Sequence, residues 1–166
     1  MKFIQITDLH LVPQGEMLHG LDPYDRLKEC INDINRSHKD AEVCVITGDL
    51  AHGANQKAYV NLRECLSHLR MPVHLLIGNH DRRDRLLAEF PNLPVDGAGF
   101  LQTHVDTSAG RFLMLDTVEQ GKGWGSYCTK RLEWLHRVLN DSLDVPVYLF
   151  MHHPPFHVGI PCLDRL

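Results

Sequence analysis

The chain has 166 residues, of which 43% are hydrophobic and 23% are charged, which indicates one globular domain with a hydrophobic core and excludes a disordered chain. A net charge of −4, with basic residues scattered among acids, argues against extended nucleic acid as a partner, because a phosphate backbone requires a concentrated basic surface. The first six residues do not resemble a secretory signal, and no stretch is long enough to span a membrane. We therefore expect a cytoplasmic protein.

The first half of the chain predicts three strands that alternate with helices. Residues 3–7 alternate and are partly β-branched, Val43–Ile46 is a continuous apolar run, and residues 73–77 form a third strand pattern. Apolar residues recur at helical spacing after an Asp-Pro pair at 22–23 and again over 55–69. Because consecutive β-α-β units place their strands parallel, we expect one parallel sheet whose carboxyl ends share an edge.

The second half predicts an antiparallel hairpin, a helix and one more strand. Two strands at 100–105 and 111–115 flank a turn at 108–110. A glycine-rich loop leads to a helix over 130–140, with an apolar face that includes Leu132, and a last strand follows over 145–151. No linker, repeat or low-complexity segment interrupts the chain, so we expect a single domain throughout its length.

Four of the predicted strands end in side chains that can bind a metal ion. These groups are Asp8-Leu9-His10, Gly48-Asp49, Gly78-Asn79-His80-Asp81 and His152-His153-Pro154-Pro155. Each group alone is weak evidence, since polar turns, helix caps and rigid proline loops use the same residues, although the order Gly-Asn-His-Asp is not common. Side chains at the carboxyl ends of parallel strands converge, however, and residues distant in sequence can meet there. Four such groups at equivalent positions therefore indicate one shared site.

This order of motifs resembles the calcineurin-like metallophosphoesterases, and its details are most similar to the bacterial cyclic-nucleotide and glycerophosphodiester phosphodiesterase branch. The resemblance covers residues 1–159 and implies an α/β fold, a layered α-β-β-α sandwich with the parallel β-α-β units at its N-terminal end. The family pattern continues with a further strand and a Gly-His-x-His motif, which residues 155–166 lack. We therefore expect residues 1–166 to be a phosphoesterase domain without its C-terminal part and with an incomplete second sheet. The alternative is a naturally short relative in which His157 or a partner chain completes the set of metal ligands.

The resemblance also implies a set of metal ligands. The first of two metal ions would bind Asp8 and His10, and the second would bind Asn79 and His152. Asp49 would bridge them, because each oxygen of a carboxylate can bind one cation. Oxygen and imidazole ligands without thiolate favour divalent or trivalent manganese, iron, zinc or cobalt. Two such ions about 3.5–4 Å apart can share a bridging hydroxide nucleophile and neutralise phosphoryl oxygens.

The resemblance gives His80 a catalytic role, facing the substrate phosphate and assisting the leaving group. Its orienting partner stays open: Asp81 could steady the ring or cap the next helix, and His52 stands where many relatives carry an acidic or amide residue. His153 is expected behind the ligands or near substrate, because metal-bound imidazoles need oriented neighbours. Further histidines in loops or on polar helix faces are expected to have no catalytic role: His19, His38, His68, His104 and His136.

The leading functional hypothesis is a hydrolase of small phosphodiesters, of the cyclic-nucleotide or glycerophosphodiester type. Two alternatives stay open, a phosphomonoesterase on the same scaffold and a truncated relative that binds a partner without catalysis. Because two imidazoles of the family pattern are missing, we expect weak binding of two metal ions and slow hydrolysis. An incomplete second sheet would also expose apolar surface, which favours association between copies of the chain.

Overall fold

The computed structural model of the protein describes residues 1–142 and 144–160. The strands are β1 (Phe3–Ile6), β2 (Val43–Ile46), β3 (Val73–Leu75), β4 (Thr103–Thr107), β5 (Gly110–Met114) and β6 (Val147–Phe150). The helices are α1 (Pro23–Ser37), α2 (Gln56–Leu66), α3 (Arg83–Glu89) and α4 (Thr129–Asn140), with a short 3-10 helix at His52–Ala54. Within these described ranges, no helix has both the length and the apolar character needed to cross a bilayer.

The first three strands form the predicted parallel sheet, in the order β1-β2-β3. The central strand β2 is buried along its whole length, which explains its continuous apolar sequence. Helix α1 begins at the predicted cap, where the Asp22 carboxylate accepts hydrogen bonds from the amides of Tyr24 and Asp25 at 2.9 and 3.3 Å. Helix α2 is capped similarly by Asn55, which accepts a bond from the Lys57 amide at 2.9 Å. Both caps satisfy amides that lack partners in the first helical turn.

The second sheet has the strand order β4-β5-β6. Strands β4 and β5 form the predicted antiparallel hairpin, and β6 pairs parallel to β5. Strand β4 begins at Thr103 rather than at residue 100, because the amide of Leu101 bonds the Asp116 carboxylate at 3.0 Å instead of a neighbouring strand. Helix α2 ends at Leu66 rather than at residue 69, since the following amides bond carbonyl oxygens three residues earlier in tight turns.

The two sheets pack face to face between layers of helix, which confirms the expected α-β-β-α sandwich. Helices α1 and α2 cover the outer face of the first sheet. Helix α4 covers the outer face of the second sheet, with Trp134, Leu135 and Val138 in the contact. The core between the sheets consists of apolar side chains from both: Val43, Val45, Leu76, Phe112, Met114 and Phe150.

Helix α4 buries an arginine where the sequence predicts only apolar contacts. Arg131 is 2% exposed and donates to the carbonyl oxygens of Asp116 and Val118 at 2.9 and 3.2 Å and to Ser126 Oγ at 2.9 Å. The prediction for Leu132 was wrong, because its side chain is 42% exposed. A fork of guanidinium donors satisfies carbonyl oxygens of the loop after β5, which an apolar side chain could not do.

A buried ion pair connects the two halves of the fold. The Asp116 carboxylate follows β5 and accepts two hydrogen bonds from the Arg83 guanidinium of α3, both at 2.7 Å. It also accepts bonds from the amides of Leu101 and Val118, both at 3.0 Å. Because α3 follows the last strand of the first sheet, this network joins segments that belong to different sheets.

Removal of the Asp116 carboxylate should therefore destabilise the protein. We expect Asp116→Ala to lower the free energy of unfolding by about 3–5 kcal/mol, because the largely buried guanidinium of Arg83 loses its charged partner. Asp84→Ala is a matched control, since it removes a bidentate pair with Arg82 that is exposed to solvent and should contribute far less to stability. Urea unfolding followed by circular dichroism measures both variants, and equal losses would contradict this prediction.

Candidate metal centre

The loops that follow β1 and β2 run side by side at one edge of the first sheet. The amide of Asp8 bonds the carbonyl oxygen of Gly48 at 3.1 Å, and the amide of His10 bonds that of Asp49 at 2.9 Å. Asp8, His10 and Asp49 have φ angles of 54°, 43° and 51°, in the left-handed region that residues other than glycine seldom occupy. Strained backbone of this kind is typical of functional sites. Here it places three polar side chains together beyond the ends of the strands.

The other four side chains predicted as metal ligands lie around the Asp49 carboxylate. Ligand atoms of Asp8, Asp49 and His152 lie within 4.8 Å of one another. His152 Nε2 is 3.4 Å from Asp49 Oδ1 and 3.1 Å from Asn79 Oδ1. His10 Nε2 is 3.4 Å from Asp49 Oδ2 and 3.7 Å from Asp8 Oδ1. The fold thus brings together donors from the loops after β1, β2, β3 and β6, while their role as ligands stays a prediction.

The two oxygens of Asp49 face different imidazoles, as a bridging carboxylate requires. The residue is 3% exposed, and burial opposes its ionisation. The hydrogen bond with His152 and the one from the His80 amide, at 2.9 Å, outweigh burial and lower the pKa of Asp49. Burial likewise opposes protonation of His152, but its contact with the carboxylate raises its pKa. The site therefore keeps a carboxylate ionised in a buried position.

Two glycines provide the space that this carboxylate and its partner need. A Cβ atom at Gly78 would lie 2.2 Å from Asp49 Oδ1, and one at Gly48 would lie 2.8 Å from His152 Nδ1. Gly48 also has a φ of 103°, which residues with a side chain rarely adopt. Packing of the site itself therefore explains the glycines that precede Asp49 and Asn79 in the sequence.

Three imidazoles form a second group at the same edge. Ligand atoms of His10, His52 and His80 lie within 4.8 Å of one another. The rings of His52 and His80 are stacked, with centroids 5.1 Å apart and an interplanar angle of 28°, and the His80 ring meets His10 edge-on at 4.6 Å. Burial, together with the two neighbouring imidazoles, lowers the pKa of His52. His10 Nε2 also lies 3.4 Å from Asp49 Oδ2, so this imidazole connects the two groups and places His80 beside the candidate ligands.

Asp81 holds the loops of the site together. The sequence predicts that it either steadies the His80 ring or caps the next helix, and it does not predict this role. The residue is 1% exposed and accepts hydrogen bonds from the amides of Leu50, Ala51 and Gly78 at 2.9–3.1 Å. The Tyr59 hydroxyl donates a further bond at 2.9 Å. Helix α3 receives no side-chain cap, so the capping alternative was wrong. The carboxylate instead ties the loop after β2 to the loop after β3.

His153 supports the site from behind its neighbour. Its ring lies 4.9 Å from that of His152, and its Nδ1 is 2.8 Å from Thr117 Oγ1. Burial, followed by the nearby His152, lowers the pKa of His153 to about 4, so the ring is neutral at physiological pH. On the other side, His152 Nδ1 is 2.9 Å from the carbonyl oxygen of Thr47. This contact fixes the His152 ring with Nε2 towards the carboxylate, an arrangement that metal-binding histidines commonly use.

The donor set fits one or more metal ions. Carboxylate, amide and imidazole groups converge, and no described cysteine lies in either group, which suits first-row transition metals rather than a thiolate zinc cluster. His10 Nδ1 is buried without a hydrogen-bond partner among the described residues, while its Nε2 faces two carboxylates. The His and Asp groups can therefore hold a metal ion, and the geometry does not select its identity.

The chain is similar to known proteins along its whole length. A family described as calcineurin-like phosphoesterase matches residues 1–166. The whole chain is 40% identical to a probable cyclic nucleotide phosphodiesterase of Rhodopseudomonas palustris and covers 62% of it. Over 99% of the chain, identity is 30% to a probable glycerophosphodiester phosphodiesterase of Arcobacter nitrofigilis, of which 61% is covered. A third relative is the 3′,5′-cyclic adenosine monophosphate phosphodiesterase of Escherichia coli K12. The chain is 28% identical to it over 99% of its own length and covers 59% of that protein.

A solved structure shares the fold at low sequence identity. The purple acid phosphatase of yellow lupin superposes with a TM-score of 0.55 and 12% identity, over 89% of this chain and 29% of that protein. The chain spans about 60% of the length of the three curated relatives named above.

Metal binding should depend on the absence of a side chain at residue 78. A methyl group in Gly78→Ala would overlap Asp49 Oδ1 and displace the carboxylate, so we expect the affinity for Mn²⁺ to fall at least about tenfold. Gly97→Ala is a matched control, because a Cβ there has no atom within 4 Å. Calorimetric titration with Mn²⁺ measures the affinities, and thermal unfolding checks that both variants fold. Unchanged affinity in Gly78→Ala would show that Asp49 is not a ligand.

Proposed function

The chain belongs to the calcineurin-like phosphoesterase family, and we propose that it is a metal-dependent hydrolase of small phosphodiesters. The observation that carries this proposal is the buried Asp49 carboxylate, whose oxygens each lie 3.4 Å from a different imidazole, His10 or His152. The names of the relatives, which are phosphodiesterases of cyclic nucleotides and glycerophosphodiesters, support the substrate class. Because the chain covers only about 60% of those relatives, the catalytic activity is itself part of the proposal.

Two metal ions complete the proposed site. Asp8 and His10 would hold one, Asn79 and His152 the other, and Asp49 both, with manganese, iron, zinc or cobalt as the candidates. When bound, these ions make water nucleophilic at neutral pH and offset the negative charge of the phosphoryl group. The chain itself orients the ligands, through the Thr47 carbonyl oxygen behind His152 and through the loops that Asp81 connects.

His80 is the proposed catalytic histidine. Its amide is held by Asp49 at 2.9 Å, and its ring lies 4.6 Å from the ring of His10. The imidazole lies outside the group around Asp49 and would face a phosphate held at the proposed metal ions. A protonated imidazole in this position can donate its proton to the leaving alkoxide oxygen as a general acid.

His52 is the proposed positioning residue for His80. The two stacked rings, 5.1 Å apart, restrict rotation of the His80 side chain. His52 Nδ1 is buried and has no hydrogen-bond partner among the described residues, which indicates that ring packing rather than a hydrogen bond from this atom provides the contact. The role follows from the 3-10 helix at His52–Ala54, which brings the residue over the loop after β3.

Two expectations about the protein's surroundings stay predictions. Exposed apolar side chains on and beyond β6, including Tyr148, Leu149 and Phe156, support the expectation that copies of the chain associate. The cytoplasmic location expected from the sequence stays a prediction as well.

Replacement of His80 should separate catalysis from metal binding. We expect His80→Ala to keep its affinity for Mn²⁺ and to hydrolyse cyclic AMP, whose leaving group is an alkoxide, about 10²–10⁴-fold more slowly, because a general acid is lost. His136→Ala, which removes an exposed histidine of α4, is the control and should match the wild type. The wild type should also cleave bis(4-nitrophenyl) phosphate faster than 4-nitrophenyl phosphate, which has the same leaving group. A wild-type chain that binds Mn²⁺ but cleaves neither ester would favour a non-catalytic role and overturn the proposal.

Substitutions of His52 should distinguish ring packing from hydrogen bonding. We expect His52→Ala to lower kcat about tenfold with little change in KM or in Mn²⁺ affinity, because a mobile His80 is less often in position. His52→Phe keeps a flat ring against His80 and should recover most of the lost kcat. Steady-state kinetics with cyclic AMP as substrate measures both variants. Equal kcat for the Ala and Phe variants would rule out the proposed stacking role.

A further inference from the structure

A cavity of about 470 Å³ lies next to the candidate metal centre. Asp8 and His10 form part of its wall, so the cavity and the proposed site share two side chains. Much of the remaining wall is apolar and comes from the loop after β1 and the start of α1: Leu9, Leu18, Leu21, Pro23 and Leu27. An apolar cavity that opens onto a phosphate-binding centre is suited to the organic part of a substrate.

A tight turn fixes one wall of this cavity. Leu18 and Leu21 exchange two backbone hydrogen bonds, at 2.8 and 3.0 Å. The two residues between them, His19 and Gly20, both have positive φ angles, 50° and 81°, which is the geometry of a type I′ turn. The leucine side chains are therefore held against the cavity before any ligand binds. A preformed wall lowers the entropy lost when a ligand is bound.

Exposed apolar surface in the cavity wall is also available to a ligand. Leu21 is 52% exposed, although it lies beside a group of charged and polar side chains. Contact with an apolar ligand would remove this surface from water and add to affinity. Arg26 lines the same cavity, and its planar guanidinium can bond the polar edge of a ring or stack on its face. The wall thus combines apolar surface with polar side chains, among them the His19 imidazole and the Arg26 guanidinium, which also donates to Glu29 at 3.1 Å.

Building on the proposed function, we infer that this cavity binds the nucleobase of a nucleotide diester whose phosphate lies at the metal centre. A flat heteroaromatic base has an apolar face for the leucines and a polar edge for Arg26. The volume lies in the range of roughly 300–1,000 Å³ that is typical of sites for small organic ligands. A glycerol group would instead place hydroxyls against leucine side chains, where they lose hydrogen bonds to water.

Leu21→Asn tests this inference by making the wall polar without changing its charge. We expect the Kd of a hydrolysis-resistant cyclic AMP phosphorothioate, titrated calorimetrically with Mn²⁺ present, to rise about three- to tenfold. The Kd values of Mn²⁺ and of inorganic phosphate should not change, because both report on the metal centre alone. Met17→Asn is the matched control, since Met17 is 61% exposed in the same loop and lies outside the cavity wall.

The outcomes separate this inference from the function on which it rests. A Leu21→Asn variant that weakens the phosphorothioate no more than Met17→Asn does would overturn the nucleobase site. Wild-type affinity for glycerophosphoethanolamine that equals or exceeds the affinity for the phosphorothioate would overturn it as well. Failure of the wild type to bind Mn²⁺ or inorganic phosphate would instead contradict the proposed function. Because Leu21 is more than half exposed, neither asparagine variant should unfold the chain.

Discussion

The buried carboxylate of Asp49 is the constraint on which the rest of the site depends. A charged oxygen pair removed from water must find partners, or its burial costs several kcal/mol. The partners here come from distant parts of the chain, His10 after β1, His152 after β6 and the amide of His80 after β3. The requirement to satisfy one carboxylate thus constrains how the loops at this sheet edge approach, and at Gly78 they leave no room for a side chain beside Asp49 Oδ1.

A second buried carboxylate shows how the same chemical group can serve a structural purpose. Asp81 is bonded by three backbone amides and a tyrosine hydroxyl, which occupy its oxygens and keep it away from any ligand. Asp49 accepts a bond from one amide, that of His80, and its oxygens lie 3.4 Å from two imidazoles that can themselves bind a cation. The partner type, amide or imidazole, therefore distinguishes the acid that holds the loops from the acid at the candidate metal centre.

The candidate site has two sides of different chemical character. One side carries the stacked imidazoles of His52 and His80, which suits a reacting phosphate and its leaving group. The other side is the cavity behind Asp8 and His10, whose leucine wall suits a group that does not react. Binding energy from such a group can help to position the phosphate for the chemical step. In the proposed enzyme, the cavity would select the diester and the imidazoles would act on it.

The sequence by itself determined the order of strands and helices, the parallel first sheet and the strand ends at which the candidate ligands lie. These features follow from apolar periodicity and from caps such as Asp22, which act between residues close in the chain. Only the tertiary structure decided that Asp81 would tie two loops together, that Arg131 would be buried and that Leu21 would face a cavity beside the metal centre. A buried polar group takes its partners from whichever segments packing brings near it, and the Asp81 carboxylate finds the Leu50 amide 31 residues away. No local pattern in the sequence contains that information.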